Sequence, residues 1–211
     1  MKEYKLPIGC DVPETIILAD GDFPSHPLAL EWLRQCPYVV CCDGAANTYI
    51  RSGRMPEAIV GDGDSLLPDI KERYASLIHS EAEQETNDLS KAFRFCLSQE
   101  RKRITIMGAT GKREDHTIGN VSLLADYMEQ AEVSMMTDYG FFVPIREDSM
   151  FESYIGQQIS VFNMNSTALS AEGLAYPLSV FTNWWQGTLN EALARHFIIR
   201  TEGKVLVFRV F

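Results

Sequence analysis

Apolar runs that alternate with amphipathic helical segments dominate residues 1–137, and they constrain the fold more than any other feature of the sequence. Runs typical of buried strands lie at residues 15–19, 38–42, 58–60, 77–79, 103–107 and 132–137. The segments between them, most clearly residues 88–100, repeat apolar side chains at helical spacing. Buried strands separated by helices predict a parallel sheet with helices on both of its faces. We therefore expect an α/β domain over residues 1–138.

The rest of the chain has a different character. Helical periodicity fades, and short β-type runs appear at residues 141–143, 158–162, 197–199 and 205–208. Turn-forming residues such as Gly173 and Pro177 separate these runs, although Asn190–Ala194 is locally helix-prone. This pattern predicts a small antiparallel β domain, a sandwich or a barrel, over residues 139–211.

Charge and cysteine content narrow the classes of partner. The formal net charge of −10 argues against nucleic acid as a partner, because such binding depends on Lys and Arg that replace counterions. A phosphorylated substrate stays open, since a metal ion or a local basic cluster can supply positive charge. No apolar h-region follows Met1–Lys5, so we expect no signal peptide, and no run reaches the roughly 18 apolar residues of a membrane helix. Five cysteines without a C-x-x-C pair fit reduced thiols, so we expect a cytoplasmic protein with no membrane association.

Acidic residues follow strand after strand of the predicted sheet. They are Asp43 after the second strand, Asp62 and Asp64 after the third, and Asp88 and Asp115 at the starts of later helices. Because the carboxyl ends of parallel strands lie along one edge of a sheet, we expect these carboxylates to lie near one another. Crowded carboxylates repel unless a cation neutralises them, and together with substrate phosphates they are typical ligands of Mg²⁺. Each acid taken alone fits a polar turn or a helix cap equally well.

Two basic groups are predicted near these acids. Lys91 shares a helix face with Asp88, although a solvated pair at i,i+3 is an equally good interpretation. Gly108–Arg113 is a glycine-rich turn from a strand into a helix, where backbone N–H groups and an arginine suit a phosphate chain. It is not a Walker A loop, since it is too short and no Ser or Thr follows the lysine.

Several stretches, taken together and in order, resemble one known family. They are Cys42–Asn47, Gly61–Ser65, Gln84–Ala92 and Gly108–His116 in the first domain, and Gly156–Phe162, Gly173–Leu178 and Gly187–Glu191 in the second. Their sequences are similar to the motifs of the thiamine pyrophosphokinase family. This chain departs from those motifs at four positions: Gly63 replaces a Phe, Asn87 a Thr, Lys112 a Gly and Leu189 a Ser.

The resemblance implies a fold, a reaction and an assembly. The expected fold is an α/β ATP-binding domain followed by a β-sandwich. The expected reaction transfers the pyrophosphoryl group of ATP to the hydroxyl of thiamine and releases AMP, with Mg²⁺ as cofactor. A homodimer is implied as well, with thiamine bound where the β domain of one subunit meets the catalytic edge of the other.

Residue roles follow from the resemblance together with the chemistry of each side chain. We expect Asp62, Asp64 and Asp88 to hold Mg²⁺ or its waters and to be the catalytic acids, and one of them to accept the hydroxyl proton. The residues expected at ATP are Asp43, Ser65, Lys91, Arg113, Asp115 and His116. Of these, Asp43 is also expected in the shell near the metal, and Asp115 and His116 either contact the nucleotide or brace its loop. Motif position suggests Gln84, Ser160, Tyr176 and Asn190 for thiamine.

Some alternatives remain open on the sequence alone. His116 fits a cap near its helix start, and Trp184 and Trp185 fit a packed core or a dimer interface as well as a ligand site. The alternative function is another Mg²⁺-dependent nucleotide phosphohydrolase or a pyrophosphotransferase with a different acceptor. A third hypothesis is a module that binds ATP without turning it over.

Overall fold

The computed structural model of the chain describes residues 1–7, 11–81, 83 and 85–211. Its strands in chain order are β1 (Lys2–Tyr4), β2 (Thr15–Leu18), β3 (Val39–Cys42), β4 (Ala58–Gly61), β5 (Ile78–Ser80), β6 (Arg103–Met107), β7 (Glu132–Met136), β8 (Gly140–Ile145), β9 (Ser149–Glu152), β10 (Gln158–Asn163), β11 (Ala168–Glu172), β12 (Asn190–Glu191), β13 (His196–Glu202) and β14 (Val205–Val210). Its α-helices are α1 (Pro27–Gln35), α2 (Ala45–Arg51), α3 (Pro68–Arg73), α4 (Asp88–Ser98) and α5 (Glu114–Tyr127).

The chain divides into two compact units. An α/β unit comprises Gly9–Leu123 and Gln130–Asp138, and a β unit comprises Met1–Ile8, Leu124–Glu129 and Tyr139–Phe211. The sequence-based boundary between residues 138 and 139 stays a prediction. Among the described residues, no helix is both long enough and apolar enough to cross a lipid bilayer.

The α/β unit is built on the predicted parallel sheet. Its strands lie in the order β5, β4, β3, β2, β6 and β7, and each neighbouring pair is parallel. All residues of β2, β3 and β4 are buried, which explains why their sequences, apart from Thr15 at the start of β2, are continuous apolar runs. Helix α4 buries Leu89, Ala92, Phe93 and Cys96, the positions that its helical spacing predicts.

The order of the strands creates a switch point beside β2. From β2 the chain moves outward to β3, β4 and β5, and it then returns to place β6 on the other side of β2. The loops that follow β2 and β6 therefore leave neighbouring strands in opposite directions. Open α/β sheets bind their ligands in the crevice at such a point, outside the carboxyl ends of the strands.

The β unit contains two four-stranded arrangements. One has the order β1, β9, β13 and β11, and the other has β8, β14, β10 and β12. Apolar side chains of both, among them Phe151 and Phe197 from the first and Val161 and Val207 from the second, form one buried cluster. The two sheets thus share a core, as in a sandwich, and the predicted fold class is confirmed.

Several contacts join strand β1 to the rest of the β unit. It pairs in parallel with β9, and the ring of Tyr4 stacks on that of Phe151 with 4.9 Å between centroids. The buried guanidinium of Arg209 donates to the carbonyl of Glu152 at 2.9 Å and to that of Lys5 at 3.0 Å. Burial lowers the pKa of Arg209 to about 10.

Sequence patterns missed some strands of this unit. Strands β1, β9 and β11 were not predicted, because Lys2–Tyr4 and Ala168–Glu172 lack an apolar run. Asn190–Ala194 is not a helix: Asn190 and Glu191 pair with β10. In both cases pairing with a neighbouring strand outweighs local propensity.

Candidate functional site

A cleft of about 450 Å³ lies at the carboxyl ends of β2, β3, β4 and β6. Its lining combines the loops that follow these strands with the first turn of α4. Among the residues predicted for the metal and the nucleotide, it brings together Asp43, Asp62, Asp64, Ser65, Asp88, Lys91, Arg113 and His116. Asp115 is the one described residue of that predicted set outside the lining.

Three carboxylates of the cleft stand close enough to share one cation. Oxygen atoms of Asp43, Asp62 and Asp64 all lie within 4.8 Å of one another. The backbone N–H of Asp64 donates to Asp62 Oδ1 across 3.2 Å, and the hydroxyl of Ser65 donates to Asp64 Oδ1 across 3.0 Å. From the sequence we expect Asp88 at the metal and Asp43 in the shell near it, whereas the geometry groups Asp43 with Asp62 and Asp64.

Asp43 is the buried member of this cluster. It is 3% exposed, and its Oδ2 accepts a hydrogen bond from the backbone N–H of Ser65 at 3.1 Å. Its Oδ1 is buried without a hydrogen-bond partner among the described residues. Burial raises the pKa of the Asp43 carboxyl; the Ser65 N–H opposes this, and the negative charges of Asp88 and Asp64 add to it. A buried carboxylate oxygen without a partner favours a bound cation.

Glycine at residue 61 makes room for this carboxylate. A Cβ there would lie 2.7 Å from the Cβ of Asp43, closer than side chains approach one another. Asp43 itself has a φ of +36°, in the left-handed region that Asp tolerates better than most residues. The close approach of β3 and β4 at their ends therefore depends on these two residue types.

Lys91 and Asp88 form a partly buried ion pair at the start of α4. Lys91 Nζ lies 3.0 Å from Asp88 Oδ1, and the two side chains are 3% and 34% exposed. The interpretation of this pair as a solvated helix face is wrong for Lys91. Burial lowers the pKa of Lys91, but the hydrogen bond to Asp88 and the charges of Asp88 and Asp62 outweigh it and raise the pKa overall. Lys91 therefore brings a permanent positive charge to the cleft.

The glycine-rich loop after β6 is fastened to the loop after β2. Gly21 N–H donates to the carbonyl of Gly108 at 2.6 Å, and Asp22 N–H donates to that of Thr110 at 2.8 Å. Gly108 has a φ of +64°, and a Cβ on it would lie 2.6 Å from the carbonyl oxygen of Ala19. Only glycine fits that close approach.

Arg113 is oriented by its neighbour Asp115. The guanidinium makes two hydrogen bonds to the carboxylate, Nε to Oδ1 at 3.1 Å and Nη2 to Oδ2 at 2.6 Å. The side-chain hydrogen bond from Arg113 lowers the pKa of Asp115 to about 2. Asp115 thus braces the arginine, while Arg113 and the exposed His116 line the cleft.

Lys112 and Asp20 form a pair that sequence reasoning missed. Lys112 Nζ donates to the backbone carbonyl and to Oδ1 of Asp20, both at 3.0 Å, and both residues line the cleft. The side chains are 54% and 46% exposed, and such exposed pairs contribute about 0–1 kcal/mol. Lys112 has a φ of +57°, and a strained backbone of this kind costs of order 1–3 kcal/mol. The position of Asp20 directly after an apolar strand was the signal that could have found it.

Two asparagines connect the elements that line the cleft. Asn87 caps α4 by accepting a hydrogen bond from Ser90 N–H at 2.9 Å, and its amide donates to Asn120 at 3.1 Å. Asn120 in turn donates to the carbonyl of Ala109 at 2.8 Å. These bonds tie the start of α4 to α5 and to the loop after β6.

The residues predicted for thiamine lie in the β unit, apart from Gln84, which falls outside the described residues. Asn190 is 4% exposed, and its amide donates to the carbonyl of Tyr176 at 2.8 Å and accepts from Tyr176 N–H at 3.0 Å. The side chain of Tyr176 is left 64% exposed. Ser160 is half-buried on β10. A contact of any of these residues with thiamine stays a prediction.

The exposed apolar side chains of this unit include the tryptophan pair. Trp184 is 42% exposed, and its ring forms a T-shaped pair with that of Phe162; Trp185 is 73% exposed. The interpretation of this pair as a packed core is therefore wrong for Trp185. Leu189, one of the departures from the family motifs, is 75% exposed and has a φ of +62°.

Comparison with known families and proteins gives one consistent result. The family model described as thiamin pyrophosphokinase, catalytic domain, matches residues 29–136, just over half of the chain. The model described as thiamin pyrophosphokinase, substrate-binding domain, matches residues 140–208.

Individual proteins agree with the family models. Thiamine pyrophosphokinase 1 of Oryza sativa subsp. japonica is 29% identical over 129 residues, which cover 49% of this chain and 49% of that protein. Thiamin pyrophosphokinase 1 of Caenorhabditis elegans is 30% identical over 110 residues, with coverages of 48% and 45%. The chain thus spans about half the length of the curated relatives that it matches.

A solved structure has the same fold. Thiamin pyrophosphokinase from Candida albicans superposes with a TM-score of 0.80 at 18% identity, covering 100% of this chain and 93% of that one. At this identity the likeness concerns the fold alone.

Proposed function

The chain belongs to the thiamine pyrophosphokinase family, and from this membership we propose that it transfers the pyrophosphoryl group of ATP to the hydroxyl group of thiamine, giving thiamine diphosphate and AMP. One observation carries the proposal. A cleft at the switch point of the sheet contains a cluster of carboxylates together with Lys91 and Arg113. This is the arrangement that a metal-bound triphosphate requires.

We propose Mg²⁺ as the cofactor, held by Asp43, Asp62 and Asp64. The donor set is all carboxylate, as a hard cation prefers, and the unpartnered Oδ1 of Asp43 supports a ligand at that point. For Asp88 we propose a contact with water molecules that the ion binds. When bound, the ion neutralises charge on the triphosphate and fixes its oxygens for attack at the β-phosphorus.

The cationic side chains are proposed to bind phosphate oxygens. Lys91 is supported in this role by its ion pair with Asp88, which fixes the position of its ammonium group. Arg113 is supported by its bidentate bond to Asp115, which orients the guanidinium fork. Both would stabilise the negative charge that develops on the departing AMP.

Ser65 and His116 complete the proposed nucleotide contacts from the cleft wall. The thiamine hydroxyl has to lose a proton during transfer, and the carboxylates of the cleft supply the acceptor.

For thiamine we propose the predicted residues Gln84, Ser160, Tyr176 and Asn190. The thiazolium of thiamine is a cation, and the exposed ring of Tyr176 offers a face that attracts cations. The hydrogen bonds of Asn190 to the backbone of Tyr176 support a positioning role for this asparagine.

We also propose a cytoplasmic homodimer. Large apolar side chains that stay exposed on one chain, among them Trp185 and Leu189, support a subunit contact in the β unit. The buried, unpaired thiols of Cys41, Cys42 and Cys96 fit a reducing compartment. The mass of the protein in solution, measured by light scattering, tests the dimer directly.

A single assay tests the reaction. The protein is incubated with Mg²⁺, ATP and thiamine, and AMP and thiamine diphosphate are followed by chromatography. We expect both products in equal amounts, and neither when thiamine is omitted. Phosphate or pyrophosphate released without thiamine would instead identify the nucleotide phosphohydrolase. ATP binding without any AMP would identify a binding module.

A further inference from the structure

Lys112 occupies a backbone position that glycine would occupy with less strain. Its φ of +57° lies in the left-handed region, and the motif that this loop resembles has a glycine at the same place. The side chain is more than half exposed, so it adds little to a core. An exposed ion pair does not offset such backbone strain in general. Stability therefore gives no reason for a lysine here.

The side chain of Lys112 crosses the switch point of the sheet. Its ammonium reaches from the loop after β6 to Asp20 in the loop after β2, with both donor–acceptor distances at 3.0 Å. β2 and β6 are the adjacent strands from which the chain departs in opposite directions. The ammonium therefore lies where this class of sheet binds ligands.

The contacts of Lys112 are easier to exchange than those of the other cations of the cleft. Lys91 is 3% exposed beside Asp88, and Arg113 makes two parallel bonds to Asp115. Lys112 bonds one carbonyl and one carboxylate oxygen of a half-exposed residue, which leaves one of its three N–H donors for a ligand. A phosphate group carries more charge than the Asp20 carboxylate and competes well for this ammonium.

We propose that Lys112 is a phosphate-binding residue of this site: its ammonium group bonds Asp20 before the nucleotide binds and the phosphate chain of the nucleotide afterwards. The inference rests on the proposed function, because it takes the ligand of the cleft to be ATP. It adds a third cation to Lys91 and Arg113 at a position where the family motif carries none. The carboxylates around the cleft repel a ligand with four negative charges, and a further cation reduces that repulsion.

Three variants of residue 112 distinguish the effect of the lysine charge from the effect of backbone strain. Lys112→Gly removes the charge and the strain, Lys112→Ala removes the charge alone, and Lys112→Arg keeps a cation. Lys102→Ala is the matched control, since it removes an exposed lysine of the same unit outside the cleft lining. The affinities for ATP with Mg²⁺ and for adenosine are measured by calorimetry, and the midpoint of thermal unfolding is measured for each protein.

We expect Lys112→Gly and Lys112→Ala to weaken ATP binding by about tenfold, the usual effect of one charge-assisted hydrogen bond. Adenosine binding should not change, Lys112→Arg should restore most of the ATP affinity, and Lys112→Gly should unfold at the same temperature as the parent or higher. ATP affinity within twofold of the parent in Lys112→Gly would overturn the proposal. So would an equal loss for ATP and adenosine, which would mean a distorted cleft.

Failure of the inference and failure of the proposed function give different results. Thiamine-dependent AMP formation by the unsubstituted protein tests the function alone. Nucleotide affinity of the residue 112 variants tests the role of Lys112 alone, because no thiamine is present in that experiment.

Discussion

The ammonium group of Lys71 donates a hydrogen bond to the carbonyl oxygen of Gly63 across 2.8 Å. Gly63 lies between Asp62 and Asp64, has a φ of +76°, and would place a Cβ 3.3 Å from that same ammonium. The family motif has a phenylalanine at this position, so the side chain of Lys71 stands beside the place where a larger residue would begin. A bond from α3 thus holds the loop that carries two of the three clustered carboxylates.

We expect Lys71→Met, which keeps the apolar stem and loses the donor, to weaken Mg²⁺ binding about fivefold, because one hydrogen bond contributes roughly 1 kcal/mol. Arg73→Met is the control, since it removes a cation from the same helix. Titration of the metal-free protein with Mg²⁺ by calorimetry measures both. Equal affinities in the two variants would mean that Lys71 does not position the loop.

Asp62→Asn removes a carboxylate charge at nearly constant shape. If Asp62 is a ligand of the metal, kcat should fall by orders of magnitude while the circular dichroism spectrum stays that of the parent. Asp69→Asn, which changes an exposed acid in the first turn of α3, should keep the parental rate. A near-normal kcat for Asp62→Asn would remove this residue from the metal site.

Asp43→Asn should stabilise the metal-free protein. The buried carboxylate has an unpartnered oxygen and a raised pKa, so its ionised form is disfavoured in the folded state. Loss of this penalty should raise the unfolding midpoint by roughly 2–4 °C, the shift that corresponds to about 1 kcal/mol in a chain of this size. Asp138→Asn should have the opposite effect, because that carboxylate accepts hydrogen bonds from the backbone of Ser25 and His26.

The effect of Asp43→Asn should also depend on pH. Below its ordinary pKa the carboxyl is neutral in the folded and the unfolded chain, and it then has no effect on stability. As the pH rises through the raised pKa of the folded state, the parent loses stability and the variant does not. The difference between the unfolding midpoints of the parent and of Asp43→Asn, measured without metal, should therefore increase as the pH rises across this range. If the midpoints of the two proteins change with pH in parallel, burial does not raise the pKa of Asp43.

Buried thiols should be inert in the native protein. Burial raises the pKa of Cys96 to about 12, and it raises those of Cys41 and Cys42 as well. At pH 8 we expect a thiol reagent to leave these three unmodified until denaturant is added, as read by mass spectrometry of peptides. Rapid modification of Cys42, which borders the cleft, would indicate a reactive thiol at the site.

Sequence patterns predicted the α/β unit well because the burial of its strands determines which residue types they contain. Both faces of β2, β3 and β4 are covered, so their residues are apolar or glycine, apart from the buried Thr15 at the start of β2, and the runs are continuous. Strand β11, with the sequence Ala168–Glu172, has only one fully buried position, and no run of apolar residues marks it. Its existence depends on β13, a partner far along the chain.

The same distinction applies to the cleft. The acids at the strand ends could be predicted to meet because one edge of a parallel sheet collects them. The burial of Asp43 and the pair of Lys112 with Asp20 depend on distances between loops that are remote in sequence. Local composition contains no information on those distances, which is why the sequence alone did not group Asp43 with Asp62 and Asp64.

The attachment of β1 has a consequence for biosynthesis. Residues 2–5 leave the ribosome long before Phe151 and Arg209, the residues that stack on Tyr4 and bond the carbonyl of Lys5. At the usual rate of roughly 5–20 residues per second, this segment waits on the order of ten seconds or more for its partners. During that time the α/β unit can fold, while the nascent segment remains available to chaperones. Closure of the β unit is thus a late event of translation, timed by the synthesis of its final strand.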